Sequence, residues 1–153
     1  ITGSEPVLGE ASFKHLLEVI DIIFREAPHS VFILETNGFF LGSRVDLIEK
    51  LKPMNLWIRV AIKGVDENSF ELITGARREF FPYPFRALKE MESQGRKAWP
   101  AVMRELFSED EIARLKKLLD EYRIKAKLEE ESLESYAFVI ENLKNRNIQL
   151  KRL

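Results

Sequence analysis

The chain has no cysteine, which excludes a disulfide framework and any thiolate metal site built from these residues. Histidine is scarce. His15 falls in a helical stretch and His29 beside Pro28 in a turn; they lack the close pairing of a zinc motif and read as surface residues. No run approaches the ~20 apolar residues of a membrane helix, and no charged-then-apolar leader opens the chain, so a cytoplasmic protein is expected. An excess of either charge is missing too. With 24 basic and 25 acidic residues the net charge is -1, which selects neither nucleic acid nor an anionic membrane as partner. Internal repeats, low-complexity stretches and linkers are also absent.

What is present is a chain of 153 residues, 45% hydrophobic, long enough for one sizeable core and expected to form a single domain over residues 1–153. Strand and helix signals alternate, the pattern of βαβ units around a parallel sheet. Phe13, Leu16, Leu17, Ile20, Ile23 and Phe24 recur at helical spacing between Glu10 and Glu26, and Pro28 follows. Val31 to Leu34 is a short continuous apolar run that reads as a strand covered on both faces, ending in the polar turn Glu35-Thr36-Asn37-Gly38. The spacing predicts a helix over 43–52 with Ser43 as N-cap and Pro53 as its stop, and a strand over 56–63. In that strand Ile58, Val60 and Ile62 point one way, while Trp57, Arg59, Ala61 and Lys63 point the other.

Asp66 and Gly75 are placed to open and close a short helix. A further helix is predicted over 83–94, a strand over 98–103, and a helix opened by a Ser108/Glu111 capping box with the stripe Ile112, Leu115, Leu118, Leu119 and Tyr122. Alternation of Tyr122, Ile124, Ala126 and Leu128 with Arg123, Lys125 and Lys127 predicts a strand over 122–128. A last helix over 132–144 is expected to bury Leu133, Tyr136, Ile140 and Leu143, ahead of a solvated basic tail.

In parallel α/β proteins ligands sit at the carboxyl ends of strands. Those ends carry Gly3, Ser4 and Glu5; then Glu35, Thr36 and Asn37; then Arg59, Ala61, Lys63 and Gly64; then Met103 and Arg104. Turn chemistry alone accounts for any one such group. Three in order, with Arg59 and Lys63 on one face where helices would bury them at a cost, point to a ligand, a carboxylate or water.

Ile1-Thr2-Gly3-Ser4-Glu5-Pro6 resembles the glycine-glycine-glutamate-proline motif of the radical S-adenosylmethionine enzymes. Thr36-Asn37-Gly38 after an apolar strand, and Arg59-Val60-Ala61-Ile62-Lys63-Gly64 on the next, are similar to members of the same superfamily. The resemblance runs from Thr2 to about Met103. It implies a partial, open parallel βα barrel, TIM-barrel-like and missing its first strand or strands. That barrel would bind S-adenosylmethionine against a 4Fe-4S cluster and cleave it reductively to a 5'-deoxyadenosyl radical.

By the same analogy Gly3, Ser4 and Glu5 lie along the methionine moiety, Thr36 and Asn37 stand near it, and Arg59 and Lys63 meet the cofactor carboxylate as charge-assisted donors. Ser4 replaces the usual second glycine, and Ala61 stands where a polar residue is often found. The family's cluster-binding cysteines are expected upstream of Ile1, so the chain reads as a fragment that is inactive alone. Its open sheet edge would be covered by oligomerisation or by chain removed after folding. The substrate, small molecule or protein, is not specified.

Two other readings start from the same residues. Lys63 near a strand end, beside Arg59, has the placement of a Schiff-base lysine of an aldolase-like barrel. Glu5 and Glu35 at adjacent strand ends could form a hard-metal or acid/base pair. A non-catalytic α/β interaction module is the third, with Phe80-Phe81-Pro82-Tyr83-Pro84-Phe85 as its docking surface; the plainer role of those aromatics is to fill the seam between helix and sheet.

Overall fold

The computed structural model describes residues 4–51 and 55–152. It is an α/β fold around a four-stranded, all-parallel sheet in the order β1-β2-β3-β4. The strands are β1 (Phe32–Thr36), β2 (Leu56–Ile62), β3 (Lys97–Met103) and β4 (Glu129–Glu131). The helices are α1 (Glu10–Glu26), α2 (Phe39–Ser43), α3 (Glu67–Thr74), α4 (Tyr83–Ser93), α5 (Glu109–Glu121) and α6 (Ala137–Asn145). Single 3-10 turns span Val45–Lys50, Arg78–Phe80 and Arg104–Leu106.

The two faces of the sheet differ because the sequence alternates. Leu34, Ile58, Val60 and Ile62 are fully or almost fully buried, together with Leu41, Ile48, Phe85, Leu88, Met91, Ile112 and Leu115 from the connecting segments. Burying one such side chain contributes about 1.5–3 kcal/mol, so this layer is the main source of stability. The other face shows Glu35, Trp57, Arg59, Ala61 and Trp99 only partly covered. Register aligns Glu35 with Arg59 and Arg59 with Trp99 across three strands.

Local signals that are complete in sequence form as read. Phe13, Leu16 and Ile20 of α1 are buried. Asp66 caps α3 by accepting from Ser69 N at 2.8 Å, and Gly75 closes it in the left-handed conformation. Ser108 and Glu111 form the capping box of α5. Gly38 ends β1 at φ 70°, where an added Cβ would lie 2.8 Å from Val60 and 3.2 Å from the Pro84 backbone, so only glycine fits the turn.

Four expectations are corrected. The run at β1 is covered on one face only, because Phe32 and Leu34 turn into the core while Val31 and Ile33, on the opposite face, are 52% and 40% exposed. The helix expected over 43–52 with Ser43 as its cap is not formed by the described residues 43–51: Ser43 ends α2, and the chain restarts as a 3-10 turn at Val45. Pro53, its expected stop, lies outside the described residues. Residues 122–128 are not a strand, because α5 ends in a Schellman reversal in which Arg123 has φ 59° and Ile124 N donates to Leu119 O at 2.9 Å. The following amides of Lys125 and Ala126 donate to the Glu92 carboxylate at 2.7 and 2.8 Å instead of to a neighbouring strand. The strand forms later, at Glu129. The last helix starts at Ala137 rather than 132 and buries no residue, with Tyr136 and Phe138 58% and 64% exposed.

Candidate functional site

The carboxyl ends of β1 and β2 and the segment before α1 converge on one cavity of about 430 Å³, lined in part by Ser4, Glu5, Thr36, Asn37, Arg59 and Lys63. These are the residues the sequence singled out, apart from Gly3, which lies outside the described residues. Ala61, Met103, Glu35 and Glu131 complete the wall.

Glu5 is what draws the N-terminal segment onto the sheet. Its carboxylate accepts from the Thr36 hydroxyl at 2.6 Å, the Asn37 amide at 2.6 Å and the Val7 amide at 3.1 Å. Thr36 is 4% exposed, and its hydroxyl also accepts from Gly38 N at 3.1 Å, so the buried oxygen is satisfied on both sides. Asn37 Oδ1 accepts from Phe39 N at 2.8 Å, which fixes the first turn of α2 and orients the side-chain amide. Glu5 is therefore a clamp, and the polar surface it leaves for a ligand is its own segment's backbone and Ser4. Among the described residues no group of three or more His, Cys, Asp or Glu is placed to hold a metal ion.

Arg59 is not free. Its Nε lies 3.0 Å from Glu129 Oε2, Nη2 2.5 Å from Glu131 Oε1, and Nη1 3.4 Å from Glu35 Oε1. Partial burial pushes the guanidinium pKa down, but the hydrogen bonds and charges of Glu129 and Glu131 outweigh it and the group is raised above its ordinary value. In return the hydrogen bond from Arg59 holds the Glu129 carboxyl below the ordinary carboxylate range, helped by the Trp99 indole N–H. Lys63 has no ion pair or hydrogen bond among the described residues, and it is the unpaired cation of the cavity.

Sequence reasoning missed Glu129, Glu131 and Trp99. The signal was present in part: in a strand, Glu129 and Glu131 share one face, leaving Glu130 to the other, where it meets Lys116 of α5 at 2.7 Å. The aromatic segment Phe80 to Phe85 fills a seam. Phe85 is fully buried, 5.1 Å from both the Phe81 and Tyr122 rings, while Phe80 and Tyr83 stack at 5.7 Å and both pack edge-on to Phe39. Both histidines are exposed.

The cavity thus presents the carboxylates of Glu35 and Glu131 against Arg59 and Lys63, with the Glu5 carboxylate engaged by Thr36, Asn37 and Val7 and Glu129 adding a further negative charge beside Arg59. Such a site favours a ligand that carries net positive charge and one acidic group for Lys63. No family model and no curated protein sequence matches this chain.

Proposed function

We propose that the chain is the S-adenosylmethionine-binding part of a radical enzyme: a partial, open βα barrel whose strand-end cavity holds the cofactor. The observation that carries this reading is the convergence of Ser4, Glu5, Thr36, Asn37, Arg59 and Lys63, from three separate segments, on one cavity. Strand order supports the barrel. Each new parallel strand is added to the same edge of the sheet, as in a barrel, whereas a doubly wound sheet reverses at a switch point. The face bearing Arg59 and Trp99 then corresponds to the barrel interior.

Charge supports the ligand. S-adenosylmethionine carries a sulfonium and an ammonium against one carboxylate. The acidic wall suits the first two, and Lys63 suits the third. Arg59, held by Glu35, Glu129 and Glu131, acts by fixing those carboxylates in place. When bound to a reduced cluster, the cofactor supplies a 5'-deoxyadenosyl radical. These residues do not fit the cluster itself, because the chain has no cysteine; its ligands would come from polypeptide outside them. The role of the chain is to bind and orient. The Schiff-base reading of Lys63 loses its activating cation, since the charge of Arg59 is answered by Glu35, Glu129 and Glu131.

Isothermal titration with S-adenosylmethionine and with S-adenosylhomocysteine, which has the same skeleton without the sulfonium charge, tests the proposal. One site is expected, about tenfold tighter for the sulfonium, or ~1.4 kcal/mol. Lys63→Met should weaken both ligands. No saturable binding, or equal affinity in the Lys63→Met variant, would sink the reading.

A further inference from the structure

A second cavity of about 580 Å³ opens off the first and shares Asn37, Ala61 and Lys63 with it. Beyond those three residues the character of the wall changes. Phe39 and Pro84 form one side, Phe70 and Ile73 of α3 the other, and Ala76 lies after the helix. The hydroxyl of Thr74 is spent, donating to Phe70 O at 2.6 Å and accepting from Ala76 N at 3.0 Å. The chamber therefore has apolar walls, with polar groups gathered where it meets the strand ends.

Its shape is held open from both sides. Phe39 is wedged edge-on against Phe80 at 5.0 Å and Tyr83 at 5.3 Å. On the opposite side, an added Cβ at Gly64 would lie 2.5 Å from Phe70 N, so α3 rests directly on the backbone next to Lys63. Arg146 donates to Leu72 O at 2.9 Å and Ile73 O at 2.6 Å, fixing the last turn of α3. A preformed cavity of this size and lining suits a small molecule, since small-molecule sites span roughly 300–1,000 Å³ and are lined mostly by apolar and aromatic side chains with a few polar groups.

We infer that this apolar chamber receives an uncharged, ring-sized apolar part of a small-molecule substrate and presents it, past Ala61, to the ligand at the strand ends. The uncharged character rests on the proposed function: with Lys63 paired to the cofactor carboxylate, no cation among the chamber's lining residues is left for a second acid. Ala61 matters because it is the β2 residue that lines both cavities, and only a methyl group projects from it. A polar or longer side chain there would occupy the passage.

Indole is a suitable probe, with indole-3-acetate as its anionic counterpart. Titrating indole into the ¹⁵N-labelled chain should give saturable amide shifts concentrated at Ala61, Lys63, Phe70, Ile73 and Ala76. Ile73→Trp and Ala76→Trp, which fill the chamber from a helix and from a loop, should each weaken indole at least about tenfold while thermal unfolding shows them folded. With S-adenosylmethionine present, indole-3-acetate should bind about tenfold more weakly than indole. Shifts scattered over the surface, or unmoved by either folded variant, would overturn the chamber. Acetate binding as tight as indole would overturn its uncharged preference. Indole bound in the chamber of a chain that ignores S-adenosylmethionine would uphold the apolar site and refute the cofactor reading instead.

Discussion

At the scale of the residue, the strand-end site depends on one buried hydroxyl. Thr36 Oγ1 stands between the Glu5 carboxylate and the Gly38 amide, and a β-branched side chain already suits its place in β1. Thr36→Val keeps the shape and removes the hydroxyl, leaving a partly buried carboxylate oxygen and a buried amide each short of a partner. Such a loss costs about 1–3 kcal/mol. Urea unfolding should show that decrease, and Thr36→Ser should recover most of it. If valine were neutral, the Glu5 clamp would not hold the segment. Arg59 teaches the opposite lesson: its charge on a strand face stood out in the sequence, yet the partners that occupy it came from Glu129 and Glu131, 70 and 72 positions further along the chain.

Among the elements, α3 shows how a glycine positions a helix. Gly64 is fully covered by the Phe70 backbone, with only 2.5 Å to its nitrogen and 2.6 Å to its Cα. Gly64→Ala must push α3 outward, because the obstructing atoms are main chain and cannot rotate away. Overpacking of this kind costs about 1–3 kcal/mol. The variant should unfold at a lower temperature, and amide exchange should quicken in α3 more than in α5. Equal protection of both helices would show that the contact does not set the position of α3. Elements with complete local signals, α1, α3 and α5 with their stripes or caps, were readable from sequence. Residues 122–128 were not: their apolar and basic residues alternate as in a strand, but the left-handed turn at Arg123 and the pull of Glu92 on two amides override that pattern.

For the whole molecule, acid should be the sensitive axis. Glu129 is held below the ordinary carboxylate value of 4.5 by its hydrogen bond from Arg59, and Glu130 by its hydrogen bond from Lys116. A carboxyl whose folded pKa is depressed binds its proton more readily when unfolded, so its stabilisation is present above the unfolded value and is lost as pH falls below it. These two groups tie β4, a strand of only three residues, to β2 and α5. The unfolding midpoint is therefore expected to drop between about pH 5 and pH 3, with β4 released first. The effect should be modest, since both carboxylates retain solvent contact and salt screens them. Arg59→Met should lower stability at neutral pH and flatten the acid limb; an unchanged limb would remove Glu129 from the account.

Sequence by itself determined the alternation of most elements, the buried face of β2, the caps of α3 and α5, and the polar strand ends that line the cavity. These follow from spacing and side-chain chemistry acting over a few residues. Tertiary structure alone decided that β4 begins at Glu129, that its carboxylates claim Arg59, that Lys63 is left unpaired, and that an apolar chamber opens beside it. Those outcomes depend on which distant segments meet across the sheet, and no local pattern carries that information.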